Sequence, residues 1–371
     1  MHADLLRSLP APACAYVYDT AALRARAAMV RQALPTSAIF VYAVKANGHP
    51  RVVSALAAAC DGLEVASGGE LALATAAGAS RIVFGGPGKT DAELAAAVAA
   101  GALINVESVH ELRRLAALTE TPPAVCLRVN RPGGGLQGSH TMTGVPTPFG
   151  IEEAQLGEAM RVPGVEVVGF HLHAVSNNLD GVAHAAFVRS SLDWSVRTAG
   201  ELGVSLRVVN VGGGFGIDYL SSASMDLSPL SPIVVPAGIE LIFEPGRFLA
   251  ADAGSYAATV LDLKTTHGRT FAVLRGGTHH FRLPAAWGYS HPFTIVPVSA
   301  WPHPYPRPSV RDREVDAVGE LCTPRDVLTR GQHVSHLRAG DILVFGRAGA
   351  YGWDISHHEF LRHDPPEFLV V

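Results

Sequence analysis

Residues 39–86 read IFVYAVKANGHPRVVSALAAACDGLEVASGGELALATAAGASRIVFGG. Three short runs of apolar and β-branched residues, Ile39–Val44, Leu63–Ala66 and Arg81–Phe84, are separated by Ala/Leu-rich stretches of helical composition. This alternation marks β–α units, in which each strand is covered by the helix that follows it. The rhythm continues outward. Further strands are expected at Leu103–Val106, Val125–Val129, Val165–His173, Leu206–Val211 and Glu240–Phe243. Helix starts are marked as well: Asp19-Thr20 precedes AALRARAAMVRQAL, and Thr90-Asp91 precedes AELAAAVAA with Glu93 in its first turn. Eight such units predict an α/β fold, a (β/α)8 TIM barrel over residues 16–250, with an open doubly wound sheet as the competing arrangement.

Past residue 250 the Ala-rich helices stop. Short β-like runs separated by Gly and Pro take over (YAATVLDLKTT, RTFAVLRGG, HPFTIVPV, REVDAVGEL, DILVFGRAGAY, EFLVV), which predicts a C-terminal all-β domain over 251–371 joined by residues 1–15. Asn130–Gly150, rich in Gly, Pro, Ser and Thr, reads as a long surface loop or lid. Hydrophobic residues make up 48% of the chain and charged ones 17%, so a large core is available and an ordered chain is expected. The net charge of −4 and the lack of a basic run with interleaved aromatics argue against nucleic acid as a partner. Four dispersed cysteines without a CxxC pair, no evident signal peptide and no apolar span of membrane length lead to the expectation of a cytoplasmic protein.

Polar and glycine residues of unusual type gather at the carboxyl ends of the expected strands. Lys45 follows the first, Glu64 and Ser67 lie around the second, Arg128 is on the fifth and His173 on the sixth. Gly212, Gly213 and Gly214 follow the seventh, and Glu244 and Arg247 follow the eighth. In a barrel those ends converge on one mouth, where such folds place their sites. A lysine directly after an apolar strand has a desolvated stem and suits imine formation with an aldehyde; a snorkelling lysine is the plainer alternative. The triple glycine of NVGGGFGIDY lets backbone N–H groups close round a phosphate, or serves as a tight turn; it fits neither GxGxxG nor a Walker loop. FEPGRF offers an Arg that can fork onto a phosphate and a Glu that can pair with a ring nitrogen, or a local ion pair. His171 and His173 share a strand face, as metal ligands do. No matching acidic or histidine cluster accompanies them, so a ring stacked on a planar cofactor is favoured and no metal is assigned. Cys322 in GELCTPRDVL is either a proton donor or a small buried apolar residue, with Asp326 nearby to orient substrate. Tyr351 stands between glycines in GAYG.

Taken in order, YAVKANGHP, GLEVASGGEL, FHLHAVS, VNVGGGFG, FEPGR, GELCTPRDVL and GAYG resemble the fold-type III pyridoxal-phosphate (PLP) decarboxylases, the group containing the diaminopimelate, ornithine and arginine enzymes. The resemblance covers nearly the whole chain and implies a barrel of the alanine-racemase type. It implies PLP held by Lys45 as a Schiff base, with Glu64 a supporting acid, His173 stacked on the ring and Glu244 paired with the pyridine nitrogen. Ser176, Gly212–Gly214 and Arg247 would bind the phosphate, and Arg128 and Tyr351 would lie near the cofactor. It further implies a homodimer with shared active sites, Cys322 of one chain reprotonating the substrate held at Lys45 of the other.

Departures from the family pattern bear on the substrate. Thr323 stands where diaminopimelate and ornithine enzymes carry an acid that recognises a distal ammonium. GGTHHFRLPAAWG keeps Arg282, able to bind a carboxylate, but has Trp287 where a tyrosine is usual. The chain looks most like decarboxylases of carboxylate-siderophore biosynthesis acting on citryl-diaminopropionate, with Arg282, Thr323 and Asp326 as substrate-binding residues. Diaminopimelate decarboxylase, amino-acid racemase and non-catalytic PLP carrier are the alternatives. A racemase of this fold sets Arg against the ring nitrogen, which Glu244 opposes, and a carrier resembles the barrel alone.

Overall fold

A computed structural model describes residues 3–133, 136–221 and 223–371. The first two residues of the expected 1–15 segment, and 134–135 of the Asn130–Gly150 loop, lie outside these. The chain divides into two compact units. One comprises Leu23–Asp218 and Ala223–Leu249; the other comprises Met1–Ala22, Tyr219–Ser222 and Ala250–Val371.

The first unit is a closed barrel. Eight strands, Ile39–Ala43, Gly62–Val65, Ile82–Phe84, Leu103–Val106, Ala124–Asn130, Glu166–His171, Val208–Asn210 and Glu240–Phe243, pair in parallel with their sequence neighbours. The eighth returns to the first, with Ile242 opposite Ile39 and Phe243 opposite Phe40, so no edge is left and the open-sheet alternative is excluded. Val41, Val83, Cys126, Val168, Val208 and Ile242, one side chain from each of six strands, form a shared buried cluster. Full burial of each aliphatic side chain is worth about 1.5–3 kcal/mol. Close approach is enforced between the sixth and seventh strands, where a Cβ on Gly169 would lie 1.8 Å from the Val208 carbonyl oxygen. Thr90 caps helix Asp91–Ala99 with a reciprocal pair of bonds to Glu93, as the sequence pattern predicts. Within the Asn130–Gly150 loop, His140–Thr141 pairs antiparallel with Val175–Ser176, so part of this loop is laddered.

The second unit is a mostly antiparallel sheet. Its strands follow in space as Phe293–Val296, Ile342–Phe345, Gly254–Thr266, Arg269–Leu274, Ser309–Val318 and Val327–Arg338. Cys14–Tyr18 pairs antiparallel with Gly254–Ala258 and parallel with Glu367–Val370. The chain's first strand is thus part of this sheet and runs past residue 15. Val327–Arg338 was not among the expected strands, because VLTRGQHVSHLR is polar and broken by Gly331. Pairing with Ser309–Val318 supplies the order its composition does not.

Candidate active site

Each polar residue at the barrel mouth is set by the way its strand ends. The chain leaves the first strand through one 3-10 turn, Val44–Ala46. Val44 and Ala46 are fully buried, while the Lys45 side chain is 44% exposed and donates from Nζ to Glu64 Oε2 at 2.8 Å. The protein has three lysines. Lys89 is buried and committed to the Gly86 and Asn105 carbonyls and to Glu111. Lys264 lies on an exposed stretch of the other unit. Lys45 alone presents an amine at the ends of the barrel strands.

Two carboxylates face this amine and are pushed in opposite directions. Burial raises the Glu64 carboxyl above its ordinary value, with Lys45 opposing the shift. For Glu244 burial acts the same way, but His171, Lys45 and a bond from Asn210 outweigh it and hold the group well below the usual carboxylate range. Glu244 Oε1 accepts from Asn210 Nδ2 at 2.6 Å and from Asn105 Nδ2 at 3.4 Å, and Oε2 lies 3.5 Å from His171 Nε2. Glu244 is therefore a fixed anion at neutral pH, suited to hold a proton on a nearby ring nitrogen.

His173 Nδ1 accepts the Gly213 N–H at 3.1 Å, which places the imidazole proton on Nε2. Burial, then Arg128 and Lys45, keep this ring well below the ordinary histidine value, so it is neutral. The His171 and His173 rings stack with centroids 6.2 Å apart. Gly212 and Gly214 have φ of 68° and 93°. Added Cβ atoms at Gly212, Gly213 and Gly214 would come within 2.2 Å of His173 Nδ1, 2.3 Å of the Glu244 oxygen and 2.7 Å of the Val175 oxygen. Bare backbone is thus required along the whole run, forming a cradle that side chains would fill. Ser176 lies in the short ladder with His140–Thr141. Arg247 is buried at the start of the turn after the eighth strand. Arg128 donates from Nη1 to Glu107 Oε1 at 2.7 Å, with its guanidinium 4.4 Å from the Phe149 ring centroid. Glu107 also accepts the Gly86 and Gly150 N–H groups at 3.1 and 2.8 Å. Among the described residues no cluster of three or more His, Cys, Asp or Glu is placed to hold a metal ion. His171 is directed to Glu244 instead.

In the second unit Cys322 is exposed. Asp326, expected to touch substrate, is 2% exposed, and its oxygens accept the Thr278 and Leu321 N–H groups at 2.6 and 2.8 Å. Its carboxylate thereby braces the Cys322 loop. Tyr351 has φ of 54°, a left-handed turn position between glycines. Arg282 and Thr323 line a groove of about 810 Å3 within this unit.

Sequence reading passed over Asn105, Asn210 and Glu107, and placed His171 only as a possible metal partner. Asn105 and Asn210, wholly buried, are lone polar residues inside the apolar runs LINV and VVN, a signal that they face a polar interior.

The cradle suits a phosphate, the lysine an aldehyde, and the Glu244 anion a basic ring nitrogen; one cofactor carries all three groups. The molecule is thus a barrel enzyme of the pyridoxal-phosphate class. The family model of the pyridoxal binding domain of pyridoxal-dependent decarboxylases matches residues 20–251, and the chain belongs to this family. It is 38% identical to the 2-[(L-alanin-3-ylcarbamoyl)methyl]-2-hydroxybutanedioate decarboxylase of Staphylococcus aureus, over 99% of this chain and 96% of that protein. With the diaminopimelate decarboxylase of Deinococcus radiodurans it shares 34% identity over 95% of this chain and 89% of that one. The fold matches the crystal structure of Helicobacter pylori diaminopimelate decarboxylase complexed with L-lysine, with a TM-score of 0.85, 24% identity, and 100% and 94% of the two chains covered. The protein is a PLP-dependent carboxy-lyase. Among the described residues no helix is long and apolar enough to cross a membrane.

Proposed function

We propose that this decarboxylase acts on a citrate-linked diamino acid of the citryl-diaminopropionate class, in the assembly of a carboxylate siderophore. The observation that carries this reading is the groove beside Thr323, which Arg282 lines and to which no Asp or Glu contributes. Diaminopimelate, ornithine and lysine present a distal ammonium, which needs an anion there. The name of the Staphylococcus aureus relative describes a hydroxybutanedioate joined through an amide to alanine, a substrate with two carboxylates beyond the one on its amino-acid carbon.

When bound, pyridoxal phosphate supplies an aldehyde and a ring that accepts the electron pair left by departing carbon dioxide. Lys45 would provide the amine that holds the cofactor, and Glu64 holds the Lys45 ammonium through its 2.8 Å bond. Glu244 would keep a proton on the ring nitrogen, and His173, held neutral, would face the ring. Gly212–Gly214, Ser176 and Arg247 would hold the phosphate, while Glu107 fixes Arg128 where it would lie near the cofactor. Cys322 would deliver a proton to the substrate's α-carbon, Asp326 orders its loop, and Tyr351 would lie near the cofactor. We place Cys322 of one chain against Lys45 of another in a homodimer. Mixing Lys45→Ala and Cys322→Ala proteins then restores about a quarter of native activity, since half the dimers carry one intact site in two; no recovery contradicts sharing. Four free cysteines fit a reducing cytoplasm.

Carbon-dioxide release by the holoenzyme, compared across diaminopimelate, ornithine, arginine, lysine and citryl-diaminopropionate, tests the substrate. The last is expected to be fastest. A clear preference for diaminopimelate would overturn this assignment.

A further inference from the structure

The groove of the second unit draws guanidinium groups from three separate elements. Arg282 immediately precedes the helix Leu283–Trp287, Arg325 lies on the loop between Cys322 and Asp326, and Arg330 stands on the strand Val327–Arg338. All three are exposed, and among the described residues none has an ion-pair partner or a side-chain hydrogen bond. The protein as a whole carries 33 acidic against 29 basic residues, yet the groove wall has no carboxylate. Asp326 is the nearest acid along the loop, and the backbone N–H groups of Thr278 and Leu321 occupy it. The positive field registers locally. His357, on the same wall, is held below its ordinary value by burial and then by Arg282.

We propose that Arg325 and Arg330, together with Arg282, form a carboxylate-reading subsite that selects an amino acid bearing two or more distal carboxylates and rejects one ending in an ammonium. The geometry suits a branched polycarboxylate, because guanidinium groups arriving from a helix start, a loop and a strand can each fork onto a different carboxylate. Arg325 lies three residues from Cys322 on the loop that Asp326 braces, so the subsite shares its loop with the proton donor without acting on it. Attraction and rejection come from the same charges: a distal ammonium meets three cations and no anion. This inference rests on the decarboxylase acting on a citrate-linked substrate, and it assigns the selectivity to residues outside the cofactor site.

The test uses PLP-loaded holoenzyme and citrate as a probe, because citrate has the carboxylates but no amine to react at Lys45. Citrate is expected to inhibit competitively, more tightly than inorganic phosphate at equal ionic strength, and to weaken as salt is raised. Arg325→Gln and Arg330→Gln should each weaken citrate about tenfold, the scale of one charge-assisted bond. They should raise the KM for citryl-diaminopropionate by a similar factor, with kcat changed less than about twofold and the cofactor absorbance unchanged. Arg325→Glu should lower the kcat/KM ratio of citryl-diaminopropionate to diaminopimelate by about a hundredfold, a reversal that a merely structural role would not produce. Unchanged KM and citrate affinity in both Gln variants, in an enzyme that still prefers the conjugate, would overturn the subsite and leave the substrate assignment standing. Wild-type preference for diaminopimelate, with citrate affinity still lost in the variants, would overturn the substrate assignment and leave the anion subsite standing. Phosphate binding as tightly as citrate would overturn selection by carboxylate number.

Discussion

At the residue scale the proposed mechanism rests on two carboxylates pushed apart. Glu64 and Glu244 are both buried, and both face Lys45, but Glu244 alone has two asparagine amides on one oxygen and His171 3.5 Å from the other. The result is one carboxyl raised and one depressed within a single barrel mouth. Glu244→Gln keeps the shape and the amide contacts but removes the anion. We expect kcat to fall roughly 10²-fold or more, the usual scale for deleting one fixed electrostatic partner, with cofactor still bound by absorbance. Full activity in that variant would show that the ring nitrogen needs no anion. Gly213→Ala would drive a methyl against the Glu244 carbonyl, so cofactor affinity measured by dialysis should drop sharply. Lys45, Glu244 and the glycines stand out in the sequence as site candidates because each is chemically out of place at the end of an apolar run. Asn105, Asn210 and Glu107 do not, because their roles exist only once other strands bring Glu244 and Arg128 beside them.

At the element scale, local chemistry and tertiary order divide the fold between them. The Thr90–Glu93 box was readable in four residues and starts its helix where expected. Thr90→Ala should cost about 1 kcal/mol, seen as a lower denaturant midpoint at unchanged slope. Val327–Arg338 was unreadable because its polar, Gly-broken pattern forms a strand only against Ser309–Val318. Asp326 was picked out as a substrate contact, and its carboxylate also takes two backbone partners, the N–H groups of Thr278 and Leu321. The signal, an acid four residues past a cysteine, is the same for a substrate contact and for a loop brace; only burial distinguishes them. Asp326→Ala strands two buried N–H donors, about 1–3 kcal/mol each. The second unit should melt earlier, and turnover should fall while the Lys45-bound cofactor absorbance survives; loss of that absorbance would contradict a role confined to the loop.

At the scale of the whole molecule, buried imidazoles set the response to acid. His184 in the barrel, ringed by Phe187 and Phe215, is lowered to about 4 by burial; His291 and His280 in the second unit are lowered to about 4 and about 3, with burial the first cause in each. An unfolded histidine titrates near 6.5, so unfolding takes up protons wherever pH lies below that value and above the folded one. Stability is full above about pH 6.5 and is lost progressively down toward pH 4 and below, where the depressed Glu244 begins to add its own loss. Thermal midpoints measured from pH 7.5 to 5 should fall steadily, and His184→Phe should flatten the profile of the barrel unit. A flat profile in the wild type would refute burial of these rings in their neutral form.

Above all of this stands the covalent role proposed for one lysine among three. Borohydride reduction of the PLP-loaded protein, followed by peptide mass mapping, should place the pyridoxyl phosphate label on the peptide containing Lys45. A label on Lys89 or Lys264, or none on a protein that remains active, would contradict the account at its centre.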